Sequence, residues 1–85
     1  SALALYLGIT YLEGGQPDDA LKALSEISPS SLYSPHKAWY SAMAHLQADR
    51  PAEAKPILQK IKATDGHFKQ LEANLLLAEE VLTNF

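Results

Sequence analysis

The 85-residue sequence contains no cysteine, one methionine and one tryptophan. Without cysteine the chain can form neither disulfides nor thiolate metal sites. Cysteine usage therefore does not indicate whether the protein resides in an oxidising or a reducing compartment. Long hydrophobic runs are also missing, because the longest nearly apolar stretch, Ala2 to Leu12, is too short to cross a bilayer. We therefore expect no membrane insertion by this chain.

Basic residues are in the minority. Seven Lys and Arg stand against ten Asp and Glu, which gives a formal net charge of −3. Proteins that bind nucleic-acid phosphates usually carry a net positive charge, so for this acidic chain no nucleic-acid partner is expected. What remains is an ordinary globular composition, 47% apolar and 20% charged, in a chain long enough for one small domain.

Proline and glycine divide the chain into short segments whose apolar residues recur at helical spacing. The sequence predicts five helices and no strand, hence an all-α fold. The first helix ends at Gly14-Gly15, and Pro17 and Pro51 suit the first turns of the second and fourth. Ser28-Pro29 ends the second, since a residue before proline is pushed out of the helical region.

Three further local features are predicted from single residues. The Ser34 hydroxyl is expected to cap the third helix, with Pro35 at its first position, and Thr64 or Asp65 to cap the fifth. Pro56 lies inside the fourth helix and should bend it, since proline cannot donate the helical hydrogen bond. The fifth helix carries one apolar stripe, formed by Leu71, Leu75, Ala78 and Leu82.

The first two predicted helices match the next two after a shift of 34 residues. The matching pairs are Gly8 with Ala42, Pro17 with Pro51, Ala20 with Ala54, Leu24 with Leu58, and Ile27 with Ile61. Helix–turn–helix units with this period are typical of one class of repeat protein.

Together with Leu7-Gly8 and Tyr11, these residues make the chain similar to the tetratricopeptide repeat (TPR) family. The resemblance implies an α-solenoid of antiparallel hairpins, with repeat one at 1–34, repeat two at 35–68 and a capping helix at 67–84. We expect such a chain to be the C-terminal fragment of a longer protein. Small residues are expected where the helices of each hairpin cross, Gly8 against Ala20 and Ala42 against Ala54.

The resemblance also implies an inner groove lined by the first helix of each repeat. The residues expected to line it and contact a partner are Leu5, Ile9, Leu12, Trp39, Met43, Leu46, Gln47 and Leu77. Gln70, Ala73 and Glu80 of the last helix complete the lining. On this hypothesis the chain is a non-catalytic protein-interaction or scaffold module that binds a peptide or helix. Two alternatives are a purely structural segment and an accessory domain of a larger enzyme.

The first helix supports the structural alternative, because it has hardly any polar face between Ala2 and Leu12. Such a helix is normally buried on all sides, and an open flank marks an interface. We expect this flank to be covered by one of three things, namely upstream repeats, a second copy of this chain, or a partner helix. Homo-oligomerisation through the first helix is one of these possibilities.

Chemistry-bearing motifs are weak. His45 and Asp49 share a helix face but lack the further ligands that a metal needs, and His36 and His67 have no partner at ligand spacing. Ser34 to Lys37 matches the S-x-x-K pattern without the other elements that penicillin-binding enzymes require. No enzyme activity, metal or cofactor is expected.

Overall fold

The computed structural model describes residues 1–78, which form five α-helices and no strand. The helices are α1 (Ala2–Glu13), α2 (Pro17–Leu24), α3 (Ser34–Gln47), α4 (Pro51–Lys62) and α5 (Gln70–Ala78). The prediction of an all-α chain is confirmed. Leu82, Glu80 and the end of the predicted capping helix at 67–84 lie outside the described residues.

The helices pack mainly against their neighbours in sequence. α1 packs on α2 and α3 on α4, so each pair forms a hairpin. α3 also contacts both helices of the first hairpin, and α5 lies against α4. This arrangement places α3 at the centre of the molecule.

The turns within the two hairpins have the same backbone conformation. Gly15 and Asp49, 34 residues apart, have φ angles of 73° and 59°. The amide of Gln16 donates to the carbonyl of Tyr11, and the amide of Arg50 donates to that of His45, both at 2.8 Å. Glycine reaches positive φ without strain and aspartate tolerates it, so two different sequences build one turn.

The large buried residues of the core repeat with the same 34-residue spacing as the two turns. Leu24 and Ile27 in the first hairpin, and Leu58 and Ile61 in the second, are the largest fully buried side chains. They lie in two clusters, one around the contact between α1 and the end of α2, the other between α3, α4 and Ala73 of α5.

The residues predicted at the helix crossings are all buried. Ala20, Ala42 and Ala54 have no exposed surface, and Gly8 is buried in α1. A Cβ atom on Gly8 would lie 2.6 Å from Cδ2 of Leu24 and 2.7 Å from its Cγ. The tight contact of Gly8 is therefore with Leu24, one turn further along α2 than the predicted contact with Ala20.

The predicted caps are wrong. Ser34 is the first residue of α3, whose cap position is Tyr33 without a side-chain hydrogen bond. Thr64 instead donates its hydroxyl to the carbonyl of Lys60, and Asp65 accepts from the side chain of Gln70. Hydroxyl and carboxylate groups can also hydrogen-bond to nearby backbone and side-chain groups away from helix N-termini, which competes with capping.

The stripe predicted on α5 does not face the core. Leu71 and Leu75 are 67% and 58% exposed, and Ala78 is exposed too. The fully buried residue is Ala73, which packs with Trp39 in the cluster between α3 and α4. Since apolar residues surround most of α5, its pattern alone did not determine which side is buried.

Replacing Gly8 with alanine tests the close approach of α1 and α2. Forcing Leu24 aside costs about 1–3 kcal/mol, more than the helix propensity of alanine, about 1 kcal/mol, can return. We expect Gly8→Ala to lower the free energy of unfolding in urea by about 1 kcal/mol net. The matched control is Gly14→Ala, where the nearest atoms to an added Cβ are 3.6 Å away. Equal effects of the two substitutions would contradict this packing.

Candidate functional site

The outer face of α1 carries three large apolar side chains that are exposed. Leu3 and Tyr6 are each 66% exposed, and Leu7 is 38% exposed. Their spacing of three and four residues places them side by side on the helix. We call these three residues the α1 outer face.

The corresponding face of α3 shows how such a surface is covered. Tyr40 lies 34 residues after Tyr6 and packs against the buried cluster of Ala4, Leu24 and Ile27. One turn earlier, the ammonium group of Lys37 donates to the carbonyl of Ile27 at 2.9 Å. The end of the first hairpin therefore covers on α3 the same position that is open on α1.

Tyr6 was not among the residues that the sequence predicted for a partner site. The signal that identifies it is present in the sequence, because the 34-residue shift pairs two identical residues, Tyr6 and Tyr40. Its meaning depends on knowing that Tyr40 is packed, which the shift alone does not reveal.

The predicted groove residues are mostly half-buried. Leu5 packs beside Leu24 and Ile27, and Met43 and Leu46 pack against the core of the second hairpin. Leu77 also packs there, from α5. Ile9 and Leu12 are half-buried in α1, whereas Gln47 is exposed and donates to the carbonyl of Leu12 at 2.9 Å.

The predicted position of Trp39 in an open groove is wrong. It is only 9% exposed and belongs to the core of the second hairpin with Ala42, Ala54 and Ala73. The ammonium group of Lys69 lies 5.2 Å from the centre of the Trp39 ring. The residue predicted at the middle of an open groove is thus packed between α3, α4 and α5.

Arg50 links the two hairpins electrostatically. Its guanidinium donates to Asp18 at the start of α2 at 2.8 Å and lies 3.0 Å from Glu53 of α4. The hydrogen bond that Arg50 donates to Asp18 is the main cause that raises the pKa of Arg50 above its ordinary value. His45 lies 3.3 Å from the same Glu53 carboxylate. Asp18 and Glu53 are exposed while Arg50 and His45 are half-buried, and ion pairs this accessible to water stabilise only weakly.

A second charged pair lies at the start of α5. Hydrogen bonding of the Glu72 carboxylate to its own backbone, followed by the bond from Lys69, lowers the pKa of Glu72. The ammonium and carboxylate groups are 3.2 Å apart. The pair lies beside Trp39, because the same ammonium group is close to the Trp39 ring.

No family model, curated protein or solved structure matches the chain. Within residues 1–78 no three histidine or acidic side chains are grouped so that they could hold a metal ion. None of the described helices is long and apolar enough to cross a membrane. The described residues offer a tyrosine that is exposed on α1 and packed at the equivalent position of α3.

The burial of Trp39 can be measured directly, because it is the only tryptophan. We expect short-wavelength fluorescence that acrylamide quenches poorly in the folded chain, since the quencher must touch the ring. In about 8 M urea, which should unfold the chain, the emission should shift to longer wavelength and acrylamide should quench it strongly, as for a solvent-exposed indole. Strong quenching in the folded chain would mean that the Trp39 ring is open to solvent, as the groove hypothesis requires.

Proposed function

We propose that the chain is a non-catalytic protein-interaction module of the TPR type whose contact surface is the α1 outer face. Its partner is the second helix of another helical hairpin. This departs from the groove hypothesis, because Trp39, its central residue, is packed in the core. Among the predicted roles, packing onto a further hairpin is the one that the geometry favours.

The single observation that carries the proposal is the difference between Tyr6 and Tyr40. The same side chain, at equivalent positions of two hairpins, is 66% exposed in one and packed against Leu24 and Ile27 in the other. Burying a tyrosine and its leucine neighbours contributes several kcal/mol, at about 25 cal/mol per Å². An equivalent of Leu24 and Ile27 would therefore gain most by packing on Tyr6.

In its native arrangement, a second copy of this chain has no free second helix among the described residues that could pack on the α1 outer face. Of the second helices, α2 is covered by α3, and α4 is covered by α5. A hairpin from a longer chain or from a different protein is therefore the favoured partner. Self-association through α1 would have to use a different packing.

The proposal can be tested by supplying the partner. We would place a second copy of residues 1–34 directly before Ser1, so that the 34-residue period continues. We expect one cooperative unfolding transition and a higher free energy of unfolding than that of the 85-residue chain. The reason is that the end of the added first hairpin would pack on Tyr6, as Leu24 and Ile27 pack on Tyr40.

Substitution of the original Tyr6 is the matched control. Tyr6→Lys should cost less than about 0.5 kcal/mol in the 85-residue chain, where the side chain is mostly exposed. In the extended chain it should cost about 2 kcal/mol, because the ammonium group would be taken out of water. Equal costs in the two chains, or no gain on extension, would contradict the proposed contact surface.

A further inference from the structure

A second candidate site lies on the other hairpin and shares no residue with the α1 outer face. It is a cavity of about 520 Å³ between the first half of α3 and the second half of α4. The connections before α3 and after α4 complete its walls through Pro29 and His67. This volume suits a small molecule, since ligand pockets span roughly 300–1,000 Å³.

The walls of the cavity are mainly apolar. Pro29, Ala38, Ile57 and Pro56 line it, together with the buried Ile61. A ligand that fills this space must present a largely apolar body, because most of the lining offers no hydrogen-bond partner.

The charge of the cavity has one sign. Lys37 on α3 and Lys60 on α4 both line it, and no acidic residue does so among the described residues. The ammonium group of Lys37 is held by the carbonyl of Ile27 at 2.9 Å, which uses one of its three donors. Neither lysine forms an ion pair with a described carboxylate. An anion in the cavity would meet two cations that no described acid neutralises.

The ring of His67 closes one end of the cavity. Its Nδ1 accepts a hydrogen bond from the backbone amide of Lys69 at 3.0 Å. Its Nε2 lies 3.1 Å from the carbonyl of Pro35, which can only accept, so Nε2 carries the proton. With both ring nitrogens hydrogen-bonded to the backbone, the ring is held in place as part of the cavity wall.

We propose that this cavity binds a small molecule with an apolar body and a single carboxylate group. The apolar walls accommodate the body, and Lys37 and Lys60 pair with the carboxylate. Nothing in this site depends on the partner of α1.

The test uses decanoate as the probe and the intact 85-residue chain. Titration calorimetry should give saturable binding at one site, and amide chemical-shift changes should map to Ala38, Ser41 and Ile57. Decanol, which lacks the charge, should bind about tenfold more weakly, and decylammonium should not bind, because charge-assisted pairing is lost or reversed.

Variants separate the site from general surface binding. Lys60→Met keeps the aliphatic stem and should weaken decanoate about tenfold, whereas Lys22→Met, outside the cavity, should leave binding unchanged. Ser41→Leu fills the cavity and should abolish binding, with far-UV circular dichroism and urea unfolding as checks that the variant folds.

Three outcomes would overturn the proposal. One is equal binding of decanoate and decanol, and another is an equal effect of Lys60→Met and Lys22→Met. The third is chemical-shift changes at Leu3, Tyr6 and Leu7 instead of the cavity, which would mean adsorption of the probe to the α1 outer face.

Discussion

The close contact between Gly8 and Leu24 is the constraint on which the first hairpin and its neighbour depend. Because Gly8 has no side chain, Leu24 lies directly against the backbone of α1. Leu24 then forms, with Ile27, the buried cluster on which Tyr40 of α3 packs. The missing side chain in α1 therefore determines how closely the second hairpin approaches the first. The position of α3 follows from a contact that α3 does not make itself.

Charged groups play a smaller part in the same junction. Arg50 reaches Asp18 across the two hairpins, but both side chains are accessible to water, where ion pairs stabilise weakly. The bond from Lys37 to the carbonyl of Ile27 lies closer to the buried cluster. These polar contacts fix the relative orientation of hairpins whose association is driven by apolar burial.

The two candidate surfaces differ in the kind of partner that they suit. The α1 outer face is flat, aliphatic and aromatic, and a helix that covers it excludes water from a broad area. The cavity between α3 and α4 is concave and carries Lys37 and Lys60, which suits a small anion with an apolar body.

The sequence by itself predicted the five helices, the turns inside the two hairpins and the 34-residue spacing, because proline, glycine and helical periodicity act over a few residues. It also predicted the small buried residues, such as Ala20 and Ala54. It did not predict the helix ends, since α2 stops at Leu24, before Ser28-Pro29. Only the tertiary structure decided that Trp39 is packed and that Ala73, not Leu71, is the buried side of α5. Where apolar residues surround most of a helix, several faces satisfy the local pattern equally well. The choice among them is made by neighbours distant in the chain.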